Sequence, residues 1–165
     1  MLLAIGVVLL SAHCTRERPF AKVKTGGPLP GVEMASLEGG KVRFDQFKGR
    51  PLLVNFWASN CIPCRKEFPR MKAAQESNPD LAIVGVIFQD SPKAALKFMT
   101  SFGATWPSVD DPDEQVARLF GVTRPPGIPQ TFFVDASGIV RSRIFGEMSE
   151  EVLNLNLAKI TPSGN

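Results

Sequence analysis

Two apolar runs restrict the fold more than anything else in the chain: Leu52-Leu53-Val54-Asn55-Phe56-Trp57 and Leu81-Ala82-Ile83-Val84-Gly85-Val86-Ile87-Phe88. The second shows no polar alternation, which is the pattern of a central strand covered on both faces. Between them lies a polar, helix-like stretch that ends near Ser77. Strand, helix, strand in that order implies a right-handed parallel crossover. Residues 92–102 then place Ala95, Leu96, Phe98, Met99 and Phe102 at helical spacing, and a second helix is predicted over 113–120 with Val116, Leu119 and Phe120 on one face. Residues 131–135 and 139–145, joined by Ala136-Ser137-Gly138, read as a hairpin that adds antiparallel strands to the same sheet. A last helix is predicted over 149–160 with Ser149 as its N-cap. Upstream, residues 32–37 and 41–44 flank Gly39-Gly40, an additional N-terminal β-hairpin anchored by Phe44 and Phe47. The predicted class is α/β, a mixed sheet with helices on both faces.

The chemistry-bearing motif is Cys61-Ile62-Pro63-Cys64, set where the first apolar run gives way to the helix. Cysteines three residues apart at a helix start are close enough for a small disulfide ring, and the unpaired N–H groups and positive dipole end favour a thiolate there. The same spacing also serves haem attachment and zinc. Haem attachment needs a His directly after the second Cys, where this chain has Arg65. Zinc needs two further ligands, and the only other Cys and only His are Cys14 and His13, far away at the N-terminus. A pair of buried structural cysteines fits poorly with Pro63 between them and Arg65-Lys66 after them, a composition that suits an electropositive, partly exposed turn.

With 165 residues and 44% hydrophobic content the chain has material for one domain with a real core, plus a leader. Its net charge of +3 comes from 19 basic and 16 acidic residues scattered without a basic block, so nucleic acid is not an expected partner. Residues 1–12 are apolar except for Ser11: too short to span a bilayer comfortably, but suited to the apolar part of an export signal. The rival reading of that run is a buried N-terminal element. No Lys or Arg precedes it. Cys14 follows at once and is a candidate lipidation site, although Ser11 and His13 stand where lipoprotein signals usually carry Leu and a small residue. A membrane anchor is the alternative to lipidation, and a plain free thiol the third reading. Residues 16–31, rich in Pro and Gly, read as a flexible tether, giving a signal or anchor segment with tether over 1–28 and a folded domain over 29–165.

Phe56-Trp57-Ala58, the Cys61/Cys64 dithiol, Arg65-Lys66-Glu67-Phe68-Pro69, Trp106-Pro107 and the stretch Gly127-Ile128-Pro129-Gln130-Thr131-Phe132-Phe133-Val134-Asp135 followed by Gly138 together carry a family resemblance. Over about residues 29–160 the chain resembles the thioredoxin-fold TlpA/ResA/CcmG group of exported thiol–disulfide oxidoreductases. That resemblance implies a membrane-tethered domain on the periplasmic or outer face of the cell membrane that keeps thiols reduced, often apocytochrome c cysteines. It implies protein thiol and disulfide substrates, an electron-donating thiol protein in the membrane, and no cofactor or metal besides the redox-active Cys61–Cys64 disulfide.

Cys61, the more N-terminal and exposed of the pair, is expected to attack, and Cys64 to resolve the mixed disulfide. Glu67, one helical turn after Cys64, shares its helix face. Partly buried, it would have a raised pKa and exchange a proton with Cys64, and it matches the family's active-site glutamate. The plain alternative is a surface Glu pairing along the helix. Pro129 matches the family's cis-proline, with the Ile128 backbone docking an extended substrate strand, and Pro69 matches the kink proline of the active-site helix. Trp57, Asn60, Ile62 and Pro63 complete the expected substrate-binding set, with Trp57 beside the dithiol. Two features depart from the pattern. Asn60 stands where the family commonly has a second Trp, and is expected to act as a polar N-cap. Residues 123–128 form a longer link before Pro129 than is usual. Two functional rivals remain: a disulfide-forming oxidant or isomerase, because Ile62-Pro63 does not set the potential, and, from another class, a copper-binding assembly protein holding Cu(I) on the thiolates.

Overall fold

The computed structural model describes residues 22–161. Cys14, His13 and the apolar leader lie outside the described residues. Strands β1 (Glu33–Ala35) and β2 (Lys41–Arg43) form the antiparallel N-terminal hairpin, with Met34 opposite Val42, and a single 3-10 turn (Phe44–Phe47) follows. The two apolar runs become β3 (Leu52–Trp57) and β4 (Ala82–Ile87), buried at every position and paired in parallel, Leu52 opposite Ala82 and Trp57 opposite Ile87. Helix α1 (Ile62–Ser77) makes the crossover between them. Helix α2 (Pro92–Phe102) leads to the short strand β5 (Ser108–Val109), parallel to β4, and then to helix α3 (Gln115–Phe120). Strand β6 (Gln130–Val134) lies antiparallel to β3, β7 (Val140–Phe145) antiparallel to β6, and helix α4 (Glu150–Leu157) closes the fold, capped by Ser149. The order β5-β4-β3-β6-β7 is the mixed, five-stranded sheet of a thioredoxin-like fold.

Side chains alternate across the central strand, so β3 feeds two cores at once. Leu53 and Trp57 join Phe68 and Met71 of α1, Phe98 of α2 and Leu153 of α4 on one face. Val54 and Phe56 join Phe120 of α3 and Met34, Val42 and Phe44 of the hairpin region on the other. Helices therefore cover both faces, and the N-terminal hairpin shares the second face with α3.

The structure departs from the sequence reading in several places. The tether is shorter than expected: Val23 donates to the Leu119 carbonyl (2.8 Å), Gly26 to Val140 (2.7 Å) and Leu29 to Gly138 (2.9 Å), so the folded body already includes residue 23. Pro and Gly made this segment look flexible, whereas its backbone groups are taken up by the sheet edge. Helix α3 starts at Gln115 and not 113, because Glu114 sits at φ 53° and the Asp111 carboxylate accepts from the Val116 and Ala117 N–H groups (3.0 and 2.8 Å). Strand β5, only two residues long, carries no periodicity to read. Among the described residues no helix is long and apolar enough to cross a membrane.

Candidate active site

Strand β3 ends at Trp57 and the chain turns through Ala58, Ser59 and Asn60 into α1. The turn is held from the side: the Ser59 N–H donates to the Asp90 carboxylate (2.6 Å), and Cys61 N–H to the Ala58 carbonyl (3.1 Å). Cys61 itself is the N-cap of α1, its sulfur accepting from the Cys64 N–H at 3.2 Å. This corrects the assignment of the cap to Asn60, which instead lies exposed on the adjoining cleft. A side chain that caps must sit where the first free N–H groups converge, and the sulfur already occupies that place. Pro63 follows in the first turn, where its missing N–H costs nothing.

Cys61 and Cys64 are joined in a disulfide with Cα atoms 5.3 Å apart. Their environments differ. Cys61 is half-buried, next to Ile62, which projects with 70% of its surface exposed, whereas Cys64 is wholly buried. No acidic residue occupies the first turn of α1 to oppose its positive end. The nearby cations are turned to other partners: Arg65 donates to the Ser59 carbonyl (3.3 Å) and lies over the Phe98 and Phe102 rings, 5.1 and 5.7 Å from their centroids, and Arg124, across the cleft, lies over the Phe88 ring at 5.6 Å.

One turn beyond Cys64, Glu67 is completely buried. Its Oε1 accepts from the Asn55 amide (2.8 Å) and its Oε2 from the Met148 N–H (3.4 Å). Burial pushes the carboxyl up to about 7, with Glu147 adding to the shift while the bonds from Asn55 and Met148 and the charge of Arg70 oppose it. The surface-residue alternative does not hold, since the partner of Arg70 is Glu147 (3.1 Å), which also pairs with Lys66 (3.2 Å).

Across the cleft the Ile128–Pro129 peptide is cis, and Pro129 is buried. Arg124–Pro125 and Pro125–Pro126 are also cis. Residues 124–128 form one wall of a cleft of about 580 Å³ whose other wall is Asn60, Cys61 and Pro63. The expected contributors Asn60, Pro63 and Ile128 therefore converge on Cys61, and Ile62 projects beside it. Trp57 does not take part. It is fully buried against Phe68 (ring centroids 4.8 Å) and Phe98 (5.1 Å), in the same core as Cys64, and offers no surface to a substrate. The aromatic ring belongs to the floor beneath the dithiol because Trp57 points to the α1 side of the sheet.

Sequence reading missed Asn55, Thr131, the Met148 N–H and Arg124 as parts of this region. Asn55 was the one detectable signal: a primary amide inside an apolar run predicted to be buried demands partners. Exchange between thiols and disulfides is what the arrangement can do: an accessible sulfur at a helix start, a second sulfur behind it, and a buried acid titrating near neutrality.

A family model described as the AhpC/TSA family matches residues 25–143. The chain is 33% identical over 135 residues to the thiol:disulfide interchange protein DsbE of Pseudomonas fluorescens biotype C, covering 81% of this chain and 73% of that protein. It is 30% identical over 167 residues to the thiol-disulfide oxidoreductase ResA of Geobacillus thermodenitrificans (strain NG80-2), covering 98% and 91%. Among solved structures, a putative thiol:disulfide interchange protein DsbE from Chlorobium tepidum superposes with a TM-score of 0.75 at 27% identity, over 84% of this chain and 99% of that one.

Proposed function

The chain belongs to the AhpC/TSA family and is a thiol–disulfide oxidoreductase, and from that premise we propose that it reduces protein disulfides outside the cytoplasm. The observation offered for the direction of electron flow is that a Cys61 thiolate rests on the start of α1 and the Cys64 N–H without a side-chain cation paired to it. The cationic Arg65 is drawn off to Ser59 and two Phe rings, residues 22–161 contain no His, and the buried acid Glu67 stands one turn from Cys64. A dithiol whose thiolate is weakly stabilised gives up its electrons readily, and one whose reduced form is strongly stabilised is an oxidant.

In the reaction, the Cys61 thiolate attacks one sulfur of a substrate disulfide. The new Cys61–substrate bond forms as the substrate S–S bond breaks, and the first substrate sulfur leaves as a thiolate that takes up a proton. Cys64 then loses its proton to the ionised Glu67 and attacks the Cys61 sulfur; the Cys61–substrate bond breaks, and the second substrate sulfur leaves as a thiolate that takes up a proton from Glu67 or water. Two electrons pass to the substrate and the Cys61–Cys64 disulfide remains, to be reduced again by a donor dithiol. No further cofactor enters. Substrates are extended segments laid in the cleft between Asn60 and Ile128, with apocytochrome c cysteines the first class to test. The N-terminal leader, by signal anchor or through Cys14, holds the domain at the membrane, where the donor is a membrane thiol protein.

The decisive measurement is the reduction potential of the pair, equilibrated against defined thiol buffers. A value of about −270 mV or lower is expected, and one of about −120 to −180 mV overturns the reductant reading. In parallel, Cys61→Ser is expected to abolish exchange, and Cys64→Ser to accumulate mixed disulfides on Cys61, visible as mass adducts released by a reducing agent. Adducts forming instead on Cys64 in Cys61→Ser would reverse the assigned order of attack.

A further inference from the structure

Asn55 is a primary amide in the middle of a wholly buried strand, on the β3 face that carries Leu53 and Trp57. Burying an amide without partners is costly, so its bonds indicate why it is there. Its two N–H groups are both used. One goes to Glu67 Oε1 (2.8 Å), the other to Oγ1 of Thr131 (2.9 Å), the residue directly opposite it on β6. Its carbonyl oxygen, equally buried, has no hydrogen-bond partner among the described residues.

This asymmetry is informative because Glu67 has two protonation states and an amide has two ends. With Glu67 ionised, the present orientation satisfies the carboxylate and uses both amide N–H groups. With Glu67 protonated, its O–H needs an acceptor. Rotation of the amide by half a turn presents Oδ1 to Glu67, and the Thr131 hydroxyl then donates to the same oxygen. That second arrangement leaves both amide N–H groups in the pocket where Oδ1 now has nothing to bond. The network therefore leans towards the carboxylate.

We propose that Asn55, clamped by Thr131, is a positioning residue of the exchange reaction that fixes the Glu67 carboxyl in one orientation and biases it towards the ionised form able to receive the Cys64 proton. The inference rests on the reading that Glu67 serves as that proton acceptor. The other groups facing Glu67 do not replace Asn55. The Met148 N–H is a longer contact at 3.4 Å, while Arg70 and Lys66 are engaged by Glu147, whose own charge works against ionisation. Burial without Asn55 would leave the carboxyl protonated across the neutral range.

The test is a carbon-13 NMR titration of side-chain carboxyls in the full chain labelled at glutamate, with the Glu67 signal assigned by its loss in Glu67→Gln. Exchange rates against pH are recorded on the same samples. In the parent, Glu67 is expected to titrate near neutrality. Asn55→Leu, which removes the donor, is expected to raise that midpoint by about one pH unit or more, the size expected for losing a hydrogen bond to a charged group. The rising limb of the rate profile moves with it. Thr131→Val keeps the shape and removes the clamp on the other amide N–H, so it is expected to raise the Glu67 midpoint to a smaller extent, and it serves if the Leu variant fails to fold. A Glu67 midpoint near neutrality that stays put in the folded variants overturns the role of Asn55 alone. A parent Glu67 that titrates in the ordinary carboxylate range overturns the acceptor reading and this inference with it.

Discussion

At Glu67, burial and hydrogen bonding pull in opposite directions, and burial prevails, lifting the carboxyl to about 7. In the unfolded chain the same group titrates near 4.5, the ordinary value from which burial raises it. Between those values the folded protein holds a proton that the unfolded chain has released. The associated stability is present below about pH 4 and is lost as pH rises through 7, by about 3 kcal/mol in total. Glu67→Gln is therefore expected to be more stable than the parent at pH 8, by up to about 3 kcal/mol, and to converge with it near pH 4. Urea unfolding at the two pH values checks this, and equal midpoints at pH 8 would show that the buried charge costs nothing. The same variant is expected to slow exchange and to flatten its rise with pH around neutrality. Glu67 was legible in the sequence because helical spacing ties it to Cys64. Asn55 signalled only that it needed partners; that Glu67 is one of them was not legible, since their bond joins residues twelve apart through the docking of α1 on β3, and no local pattern encodes that docking. Trp57 shows the reverse: the residue was noticed, but only the facing of β3 decides that it lines the floor and not the cleft.

Among the elements, β4 shows how the ring beneath the dithiol is accommodated. Gly85 interrupts an otherwise branched and bulky strand, and a Cβ there would meet the Trp57 indole nitrogen at 2.6 Å and come still closer to the Ser108 hydroxyl. Both neighbours are buried, so neither can swing into solvent. Gly85→Ala is expected to cost about 1–3 kcal/mol through overpacking. It should also alter the near-ultraviolet circular dichroism of the aromatic cluster, and an unchanged urea midpoint would argue that the cluster has slack. Long helices and doubly covered strands were readable because their periodicities are strong, as in α2, found at 92–102 as predicted. The start of α3 was not, because its start signal is the Asp111 carboxylate reaching the Val116 and Ala117 N–H groups from outside the helix. Helical periodicity says nothing of a cap that reaches five and six residues along the chain.

For the molecule as a whole, the segment before β1 acts as a strap. Val23, Gly26 and Leu29 donate to the body, Val140 donates back to the Gly27 carbonyl, and Val23 and Leu29 pack against the core shared with α3. Deleting residues 1–29 is expected to lower stability by about 2–4 kcal/mol, on the basis of about 1 kcal/mol for each hydrogen bond lost. Its rate of exchange with a small disulfide is expected to match that of a chain beginning at Lys22, because none of these residues lines the cleft. Comparing the two by urea unfolding and by turnover separates the effects. The overall architecture was foreseeable from strand and helix order, whereas the strap was hidden by a Pro- and Gly-rich composition that usually marks a linker. The wall of prolines opposite Cys61 has a kinetic consequence. Pro125, Pro126 and Pro129 have no N–H, and that of Gly127 is given to the Thr123 carbonyl, so from 125 to 129 only Ile128 keeps a backbone donor to offer. A visiting chain can accept one main-chain bond there, and any other must come from its own N–H groups donated to the carbonyls of the wall. In the proposed reaction the sulfur–sulfur link adds a covalent hold to these few bonds, and release follows once Cys64 breaks it.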